Sequence, residues 1–181
     1  HQVLRDWQSG RRGSLKVREI KEMLNVTPGT DGGSSKGIGQ EDFPAPIGKL
    51  LGLKLSTPAD GRATVEFEAT ERYANPMGTL HGGVLCDVAD AAMGAAYRST
   101  LTDGESFTTL ELKINFLRPV WKAKLRAEAG MVRAGKIVGL VECNIFDEQR
   151  RLVARASSTC MTLRGELAEG RRPPARANST I

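Results

Sequence analysis

The stretch Asn75-Pro-Met-Gly-Thr-Leu-His-Gly-Gly-Val-Leu-Cys-Asp-Val-Ala-Asp90 combines a histidine, a glycine pair and two carboxylates at the start of one helical pattern. Gly82 and Gly83 allow the backbone to turn sharply and leave the first N–H groups of the helix uncovered by side chains. Residues 84–97 are rich in alanine and contain no proline, which predicts a helix. Because a helix N-terminus attracts anions, an oxyanion can be stabilised at this turn. The stretch therefore predicts an active site on a central helix.

Two carboxylates follow the glycines, Asp87 and Asp90. Their spacing of three residues puts them on neighbouring faces of the helix, so one of them can point into the space that the Gly82 N–H addresses. Asp90 lies within the run 89–96, which is nearly all small residues. Such a run indicates a helix packed closely against other backbone, and a carboxylate inside it is a candidate for chemistry. The alternative is that the glycines form only a turn and the acids only favour the helix dipole.

Strands are predicted on both sides of this helix, because apolar and polar residues alternate or turn residues separate the segments. They are residues 63–70, 110–116, 120–132, 136–146 and 152–163. The pair Ala134-Gly135 marks a hairpin turn between the third segment and the fourth. The residues of the second segment predicted to face the core are Leu110, Leu112, Ile114 and Phe116. One central helix among about five antiparallel strands is an α+β arrangement.

The length and composition suit one domain with extensions at both ends. The chain has 181 residues, of which 40% are hydrophobic, enough for a core of its own. Residues 45–165 form the predicted domain. Residues 1–44 form a flexible or partly helical extension and linker, with a short helical pattern in 15–24. Residues 166–181 are predicted to be a disordered tail.

Two motifs in the N-terminal extension imitate known modules. Residues 32–39 resemble a dinucleotide-binding glycine loop, but no apolar strand precedes them, and Pro44 and Pro46 follow where the phosphate-binding helix would run. Residues 15–25 could be half of a helix-turn-helix, but too little chain surrounds them for a complete module. Neither motif is assigned a function.

Composition narrows the function classes. The net charge of +5 favours anionic partners such as a phosphate-rich ligand. The charges are scattered, and only two Trp and two Tyr are present, which argues against nucleic acid. Cys86, Cys143 and Cys160 are widely spaced, and one of the two histidines is His1, so no disulfide, metal site or cofactor is predicted. A Cys86 nucleophile beside His81 is rejected, since Cys86 needs no role beyond that of a small buried residue.

The His81-Gly-Gly signature resembles that of the hot-dog-fold acyl-CoA thioesterases of the phenylacetate-pathway type. The resemblance covers about residues 45–165 and includes Asn75, six residues before the histidine, the strand 107–119 and two later amphipathic segments. It implies a hot-dog fold, in which an antiparallel sheet wraps around one long helix. It also implies hydrolysis of an acyl-CoA thioester to a free acid and CoA, by a homodimer or a homotetramer.

The resemblance assigns the central roles to the helix. The catalytic carboxylate is expected nine residues after the histidine, at Asp90, either as a nucleophile or as the general base for water. Asp87 is its competitor. The Gly82 N–H is expected to polarise the thioester carbonyl, and Gly83 is expected to assist it.

Supporting roles fall to three polar residues. His81 and Asn75 are expected to position the carbonyl, the water or the turn itself. Thr109 matches the family's hydroxyl residue on the strand after the helix, which reaches the neighbouring subunit's site and orients the carboxylate or water. Thr108 takes this role if the register differs by one residue, because one step turns a side chain to the other face of a sheet.

The basic residues Arg118, Arg133 and Lys136 are expected to meet the CoA phosphates, unless they are only solvated surface charges. Two other functions remain open: a hot-dog hydratase or dehydratase, and a non-catalytic acyl-CoA sensor with residues 15–25 as the remnant of a DNA-binding arm. The combined set of catalytic candidates favours hydrolysis. No segment approaches the length of a membrane span, so neither stable membrane insertion nor nucleic-acid binding is expected. The expected location is the cytoplasm, or the mitochondrion if the chain is a processed precursor.

Overall fold

A computed structural model describes residues 45–169. The elements in this part of the chain are α1 (Pro46–Leu51), β1 (Lys54–Leu55), β2 (Arg62–Ala69), α2 (Gly82–Arg98), β3 (Ser106–Phe116), β4 (Ala123–Ala134), β5 (Val138–Phe146) and β6 (Leu152–Leu163), with 3₁₀ turns at Glu71–Tyr73 and Gly165–Leu167. The predicted N-terminal helical pattern and most of the predicted tail lie outside the described residues. Neither α-helix of the described part is long and apolar enough to cross a membrane.

The six strands form one antiparallel sheet in the order β1-β2-β4-β5-β6-β3. The predicted hairpin joins β4 to β5. The sheet wraps around α2, which confirms the predicted hot-dog fold. The strand count exceeds the predicted five by the two-residue β1, which pairs with β2 and is too short to give a periodic pattern.

The core lies between α2 and the concave face of the sheet. The helix buries seven residues, three of them alanine: Leu85, Val88, Ala89, Ala92, Met93, Ala96 and Tyr97. Alanine side chains let the helix backbone approach the strands closely, so that the sheet can curve around it. Opposite them, every second residue of β2 from Ala63 to Ala69 is buried, as the alternation predicted.

The edge strand β3 departs from its predicted alternation. Thr109 pairs with Cys160 and Glu111 pairs with Thr159, so Leu110 forms a β-bulge. Leu110 is 51% exposed and Phe116 is 54% exposed. The predicted place of Leu110 in the core is wrong, because the bulge breaks the two-residue period at that residue. Phe116 keeps the phase of Leu112 and Ile114 and lies beside Gly82, but it is half-exposed because it ends an edge strand that is covered on one side only. Leu112 and Ile114 do pack against the core.

Helix α1 was not predicted. Pro44 and Pro46 argue against a phosphate-binding helix after the glycine loop, yet Pro46 occupies the first turn of α1, where the missing N–H costs nothing and the fixed φ angle suits a helix. Gly52 ends the helix with φ +71°, a conformation that glycine adopts without strain.

Pairing of β3 stops at Phe116 and pairing of β4 starts at Ala123, so the predicted strands 107–119 and 120–132 are separated by a connection.

Candidate active site

The first turn of α2 is built around His81. Its N–H donates to the carbonyl of Tyr73 over 2.9 Å, and its Nδ1 accepts from the Gly83 N–H over 3.0 Å. The histidine is thus the N-cap of the helix. The Gly82 N–H has no hydrogen-bond partner among residues 45–169. Of the two glycines, Gly82 is therefore the one whose backbone donor is free for a ligand.

Asn75 organises the loop that leads into this turn. Its side-chain oxygen accepts from the N–H groups of Met77 (2.9 Å) and Thr79 (3.2 Å), and its Nδ2 donates to the Thr79 hydroxyl over 2.8 Å. The neighbouring Leu80 N–H donates to the Val120 carbonyl over 2.6 Å, which ties the loop to the connection before β4. Of the three roles expected for Asn75, these contacts match the positioning of the turn.

Asp90 contacts the hydroxyl group of Thr109 on β3. The Thr109 Oγ1 donates to the Asp90 Oδ1 over 3.4 Å. Thr108 pairs with Met161 on β6 and lies one step away, on the opposite face of β3. The register therefore brings Thr109, and not Thr108, to the carboxylate.

The surroundings of Asp90 favour its neutral form. One side of the residue is open to solvent, but neighbouring protein atoms desolvate the carboxyl and raise its pKa above the ordinary value. The negative charge of Asp87 raises this pKa further, while the Thr109 hydrogen bond opposes the rise by stabilising the carboxylate. A carboxylate that is less well solvated than usual is a stronger base, so the site suits proton transfer or attack on a carbonyl.

The free N–H of Gly82 and the Asp90 carboxylate cannot serve the same carbonyl within one chain. They are eight residues apart, which is about 12 Å along the axis of α2. An oxyanion donor and an attacking oxygen each lie only about 3 Å from the reacting group. The sequence analysis expected one of the helix carboxylates to share a space with the Gly82 N–H. Helix geometry corrects that expectation.

The Asp90 to Thr109 contact also differs from what the resemblance implied. Thr109 was expected to reach a neighbouring subunit, whereas the hydrogen bond joins two groups of the same chain. The reason is topological, because β3 follows α2 directly and passes over its central turns. The carboxylate and the hydroxyl are therefore already in contact within one chain.

The cysteines do not supply a nucleophile. Burial and the nearby charge of Asp87 raise the pKa of the Cys86 thiol, so it is protonated at neutral pH. Burial raises the pKa of Cys143 to about 12, and Cys160 is 1% exposed. Within the described part of the chain, no group of His, Cys, Asp and Glu side chains could hold a metal ion.

The basic residues that are expected to bind the CoA phosphates lie at two ends of the sheet. The Arg118 N–H donates to the carbonyl of Val153, near the start of β6. Lys136 lies in the β4–β5 turn, and the next residue accepts a hydrogen bond from the Thr162 N–H, near the end of β6. Nine residues of extended strand separate these two points, about 30 Å. Arg118 and the β4–β5 turn of one chain therefore cannot hold the same phosphate group.

Comparisons with known proteins agree with this architecture. Residues 77–154 match the thioesterase superfamily. A Saccharolobus solfataricus protein named as an esterase is 36% identical over 118 residues, which cover 65% of this chain and 84% of the relative. The chain belongs to the thioesterase superfamily.

Two further similarities are to a CoA thioester hydrolase and to a protein related to phenylacetic acid degradation. The 1,4-dihydroxy-2-naphthoyl-CoA hydrolase of Listeria monocytogenes is 28% identical over 111 residues, covering 61% of this chain and 90% of that enzyme. The structure of a phenylacetic acid degradation-related protein from Ralstonia eutropha is 34% identical, with a TM-score of 0.60, covering 65% of this chain and 91% of that one. The predicted resemblance to hot-dog thioesterases of the phenylacetate-pathway type is confirmed.

Proposed function

We propose that this protein hydrolyses an acyl-CoA thioester to a free acid and CoA, with Asp90 as the catalytic carboxylate. The observation that carries the proposal is the hydrogen bond between Thr109 and Asp90 on the solvent-exposed face of the central helix. The chain in which this pair occurs belongs to the thioesterase superfamily. The similarity to a naphthoyl-CoA hydrolase supports a CoA thioester as the substrate class.

The chemistry follows from the two carboxylate oxygens. Thr109 donates to Oδ1, which fixes the plane of the carboxylate and leaves Oδ2 for the substrate. Oδ2 either attacks the carbonyl carbon, forming a mixed anhydride as the CoA thiolate leaves, or takes a proton from a water that attacks instead. In the first case, water then hydrolyses the anhydride. Both routes require the ionised carboxylate.

The proposal includes a second copy of the chain, which provides the oxyanion donor. In a two-fold dimer, the Gly82 N–H of each chain would lie beside Asp90 of the other, since a symmetric interface repeats each contact in reverse. His81 and Asn75 would then act in the partner's site through the turn that they shape. The free side of β3, which is an edge of the sheet, offers a surface for such pairing.

The same symmetry bears on CoA binding. Two helices that exchange the Gly82 and Asp90 contacts run antiparallel, so the N-terminus of one lies beside the middle of the other, and the C-terminal half of each helix extends about 12 Å beyond the partner's Gly82. Arg118 of one chain would then lie on the same side of the dimer as Arg133 and Lys136 of the other. We propose that the CoA phosphates bind between them, with a contribution expected mainly in KM.

The direct test is thiol release from short, long and aromatic acyl-CoAs. We expect the wild type to hydrolyse at least one class, and Asp90→Asn to lower kcat on it by about 100-fold or more. Asp87→Asn is the matched control, because it removes a carboxylate of the same helix and should change kcat by less than about fivefold. Circular dichroism and thermal melting would establish that both variants fold.

Two outcomes would contradict the proposal. One is the absence of thiol release from every acyl-CoA by the folded wild type, which would favour a binding function. The other is full activity of Asp90→Asn together with an inactive Asp87→Asn, which would transfer the role to Asp87.

A further inference from the structure

The bulge in β3 changes which side chains of the strand face α2. Before the bulge, Phe107 packs against the core and Thr109 donates to Asp90. After the bulge, Leu112 and Ile114 pack against the core. The step from Thr109 to Leu112 is three residues, whereas an unbroken strand returns to the same face every two residues. The extra residue of the bulge therefore allows the hydroxyl and the later apolar side chains to face the same helix.

An unbroken strand of the same sequence could not make both sets of contacts. If Leu112 kept its place in the core, the two-residue period would turn Leu110 and Thr108 toward α2. Thr109 would then point to the opposite face of the sheet, away from Asp90. The hydrogen bond between Thr109 and the carboxylate therefore depends on the bulge.

A buried serine of β6 holds the bulge in place. The Ser158 hydroxyl donates to the carbonyl of Glu111, the first residue after the bulge, over 2.9 Å. Ser158 is 0% exposed, so its hydroxyl depends on partners within the protein. Ser158 also pairs with Leu112 across the ladder, at the point where the core-facing phase of β3 resumes. The serine thus fastens the strand directly after the extra residue.

The same serine also borders Thr109 through a cysteine. The Ser158 Oγ lies 3.6 Å from the Cys160 Sγ, and this sulfur lies 4.0 Å from the Thr109 Oγ1. Cys160 pairs with Thr109 and is 1% exposed. Because a thiol is only a weak hydrogen-bonding group, these two contacts act mainly by packing. Ser158 therefore supports Thr109 through the backbone of the bulge and through the packed sulfur.

We propose that Ser158 is a positioning residue, which holds the β3 bulge so that the Thr109 hydroxyl stays on the Asp90 carboxylate. The inference rests on the proposed function of Asp90. Ser158 does not touch the reacting atoms in this account; it acts through Thr109. Loss of the serine hydroxyl releases the bulge, and the hydrogen bond from Thr109 to Asp90 weakens as a result.

The test compares the acidic limb of kcat/KM in Ser158→Ala with that in Thr109→Val. We expect Ser158→Ala to move the limb toward high pH by at least half as much as Thr109→Val does, because both changes weaken the hydrogen bond that stabilises the Asp90 carboxylate. KM at neutral pH should stay within about twofold of the wild type. Asp87 on α2 and the Cys160 thiol on β6 also interact with the Asp90 charge, and these variants alter neither.

A double variant tests whether the serine acts through the threonine. In the Thr109→Val background, the hydroxyl that the bulge positions is already absent. Adding Ser158→Ala should therefore move the acidic limb no further, and the two effects should not add.

Two further variants are the controls. Ser157→Ala removes the neighbouring hydroxyl on the opposite face of β6, where Ser157 pairs with Lys113, and should leave the limb at the wild-type pH. Ser158→Cys retains a side chain of similar shape with a weaker donor. It should give a smaller shift in the same direction, and it provides the comparison if Ser158→Ala does not fold.

The failure of this inference differs from the failure of the proposed function. If the wild type is active and Ser158→Ala melts at a lower temperature but keeps the wild-type limb, the serine is only structural; the inference is overturned and the thioesterase proposal stands. An equal shift in the Thr109→Val background would also overturn it, because Ser158 would then act independently of Thr109. If the wild type hydrolyses nothing, NMR titration of the Asp90 carboxyl carbon decides: a midpoint that Ser158→Ala moves to higher pH supports the inference, and an unchanged midpoint overturns it.

Discussion

The surroundings of Asp90 oppose the ionisation of its carboxyl group. Desolvation and the neighbouring Asp87 raise its pKa, and the Thr109 hydroxyl counteracts them. Since the proposed chemistry needs the carboxylate, activity should be present above the folded pKa and lost as the pH falls through it. We expect the acidic limb of kcat/KM to lie above pH 4, the region of an ordinary aspartate.

Thr109→Val should move this limb further toward high pH, because it removes the hydrogen bond that stabilises the ionised form. Thr109→Ser, which retains the hydroxyl, should keep the wild-type profile. The measurement is kcat/KM against pH for the three proteins. A Thr109→Val limb at the wild-type pH or below would contradict the role of Thr109.

The backbone donor at Gly82 can be removed without loss of the helix. Proline is favoured in the first turn of a helix, and His81 has φ −64° and ψ 131°, within the region that a residue before proline prefers. Gly82→Pro should therefore lower kcat by about 10²–10³-fold, the typical cost of one oxyanion donor.

Gly82→Ala is the control for this prediction. It adds the same Cβ, which would lie 2.9 Å from the end of the half-exposed Phe116 ring, but it keeps the N–H. A loss of kcat in Gly82→Ala as large as that in Gly82→Pro would attribute the effect to the clash with Phe116 and contradict the donor role.

At the level of elements, the fit of α2 against β5 depends on a glycine. A Cβ added at Gly139 would lie 2.8 Å from the Tyr97 Cε2 and 3.0 Å from the backbone oxygen of Arg133. Gly139→Ala should lower the free energy of unfolding by about 1–3 kcal/mol, the usual cost of overpacking. Gly130→Ala on β4, where a Cβ would meet nothing within 4 Å, should have an effect within about 0.5 kcal/mol. Urea denaturation measures both, and equal stabilities would contradict this description of the packing.

The elements show what periodicity can predict and where it stops. Alternation located β2, and an alanine-rich run without proline located α2 to within two residues of its ends. The bulge at Leu110 was not predictable in this way, because the two-residue period assumes an unbroken register. Nor does alternation report that β3 is an edge strand, which explains the exposure of Phe116.

The candidate site was predictable in its residues more than in its arrangement. The family resemblance assigned Asp90 through its spacing from His81, and it assigned Thr109 on the strand after the helix. Their contact within one chain depends on how β3 crosses α2, which no local pattern encodes. The separation of Gly82 from Asp90, in contrast, follows from helix rise alone and could have been derived from the sequence.

The whole molecule presents two halves of one proposed site, separated along α2. One half is the Asp90 to Thr109 pair, and the other is the free N–H of Gly82 in the turn shaped by His81 and Asn75. If a two-fold dimer brings each half to its complement, defects in different halves should complement one another, whereas two defects in the same half should not.

Subunit mixing tests this central claim most directly. Asp90→Asn and Gly82→Pro subunits, each nearly inactive alone, are mixed in equal amounts, allowed to exchange and assayed for thiol release. Random pairing gives one intact site in each heterodimer, so we expect about a quarter of the wild-type activity. The parallel mixture of Asp90→Asn with Thr109→Ala should show no gain over its parents, because both defects lie in the half that one chain supplies. No regained activity in the first mixture despite demonstrated exchange, or recovery only in the second, would contradict a site built from the carboxylate of one chain and the helix N-terminus of another.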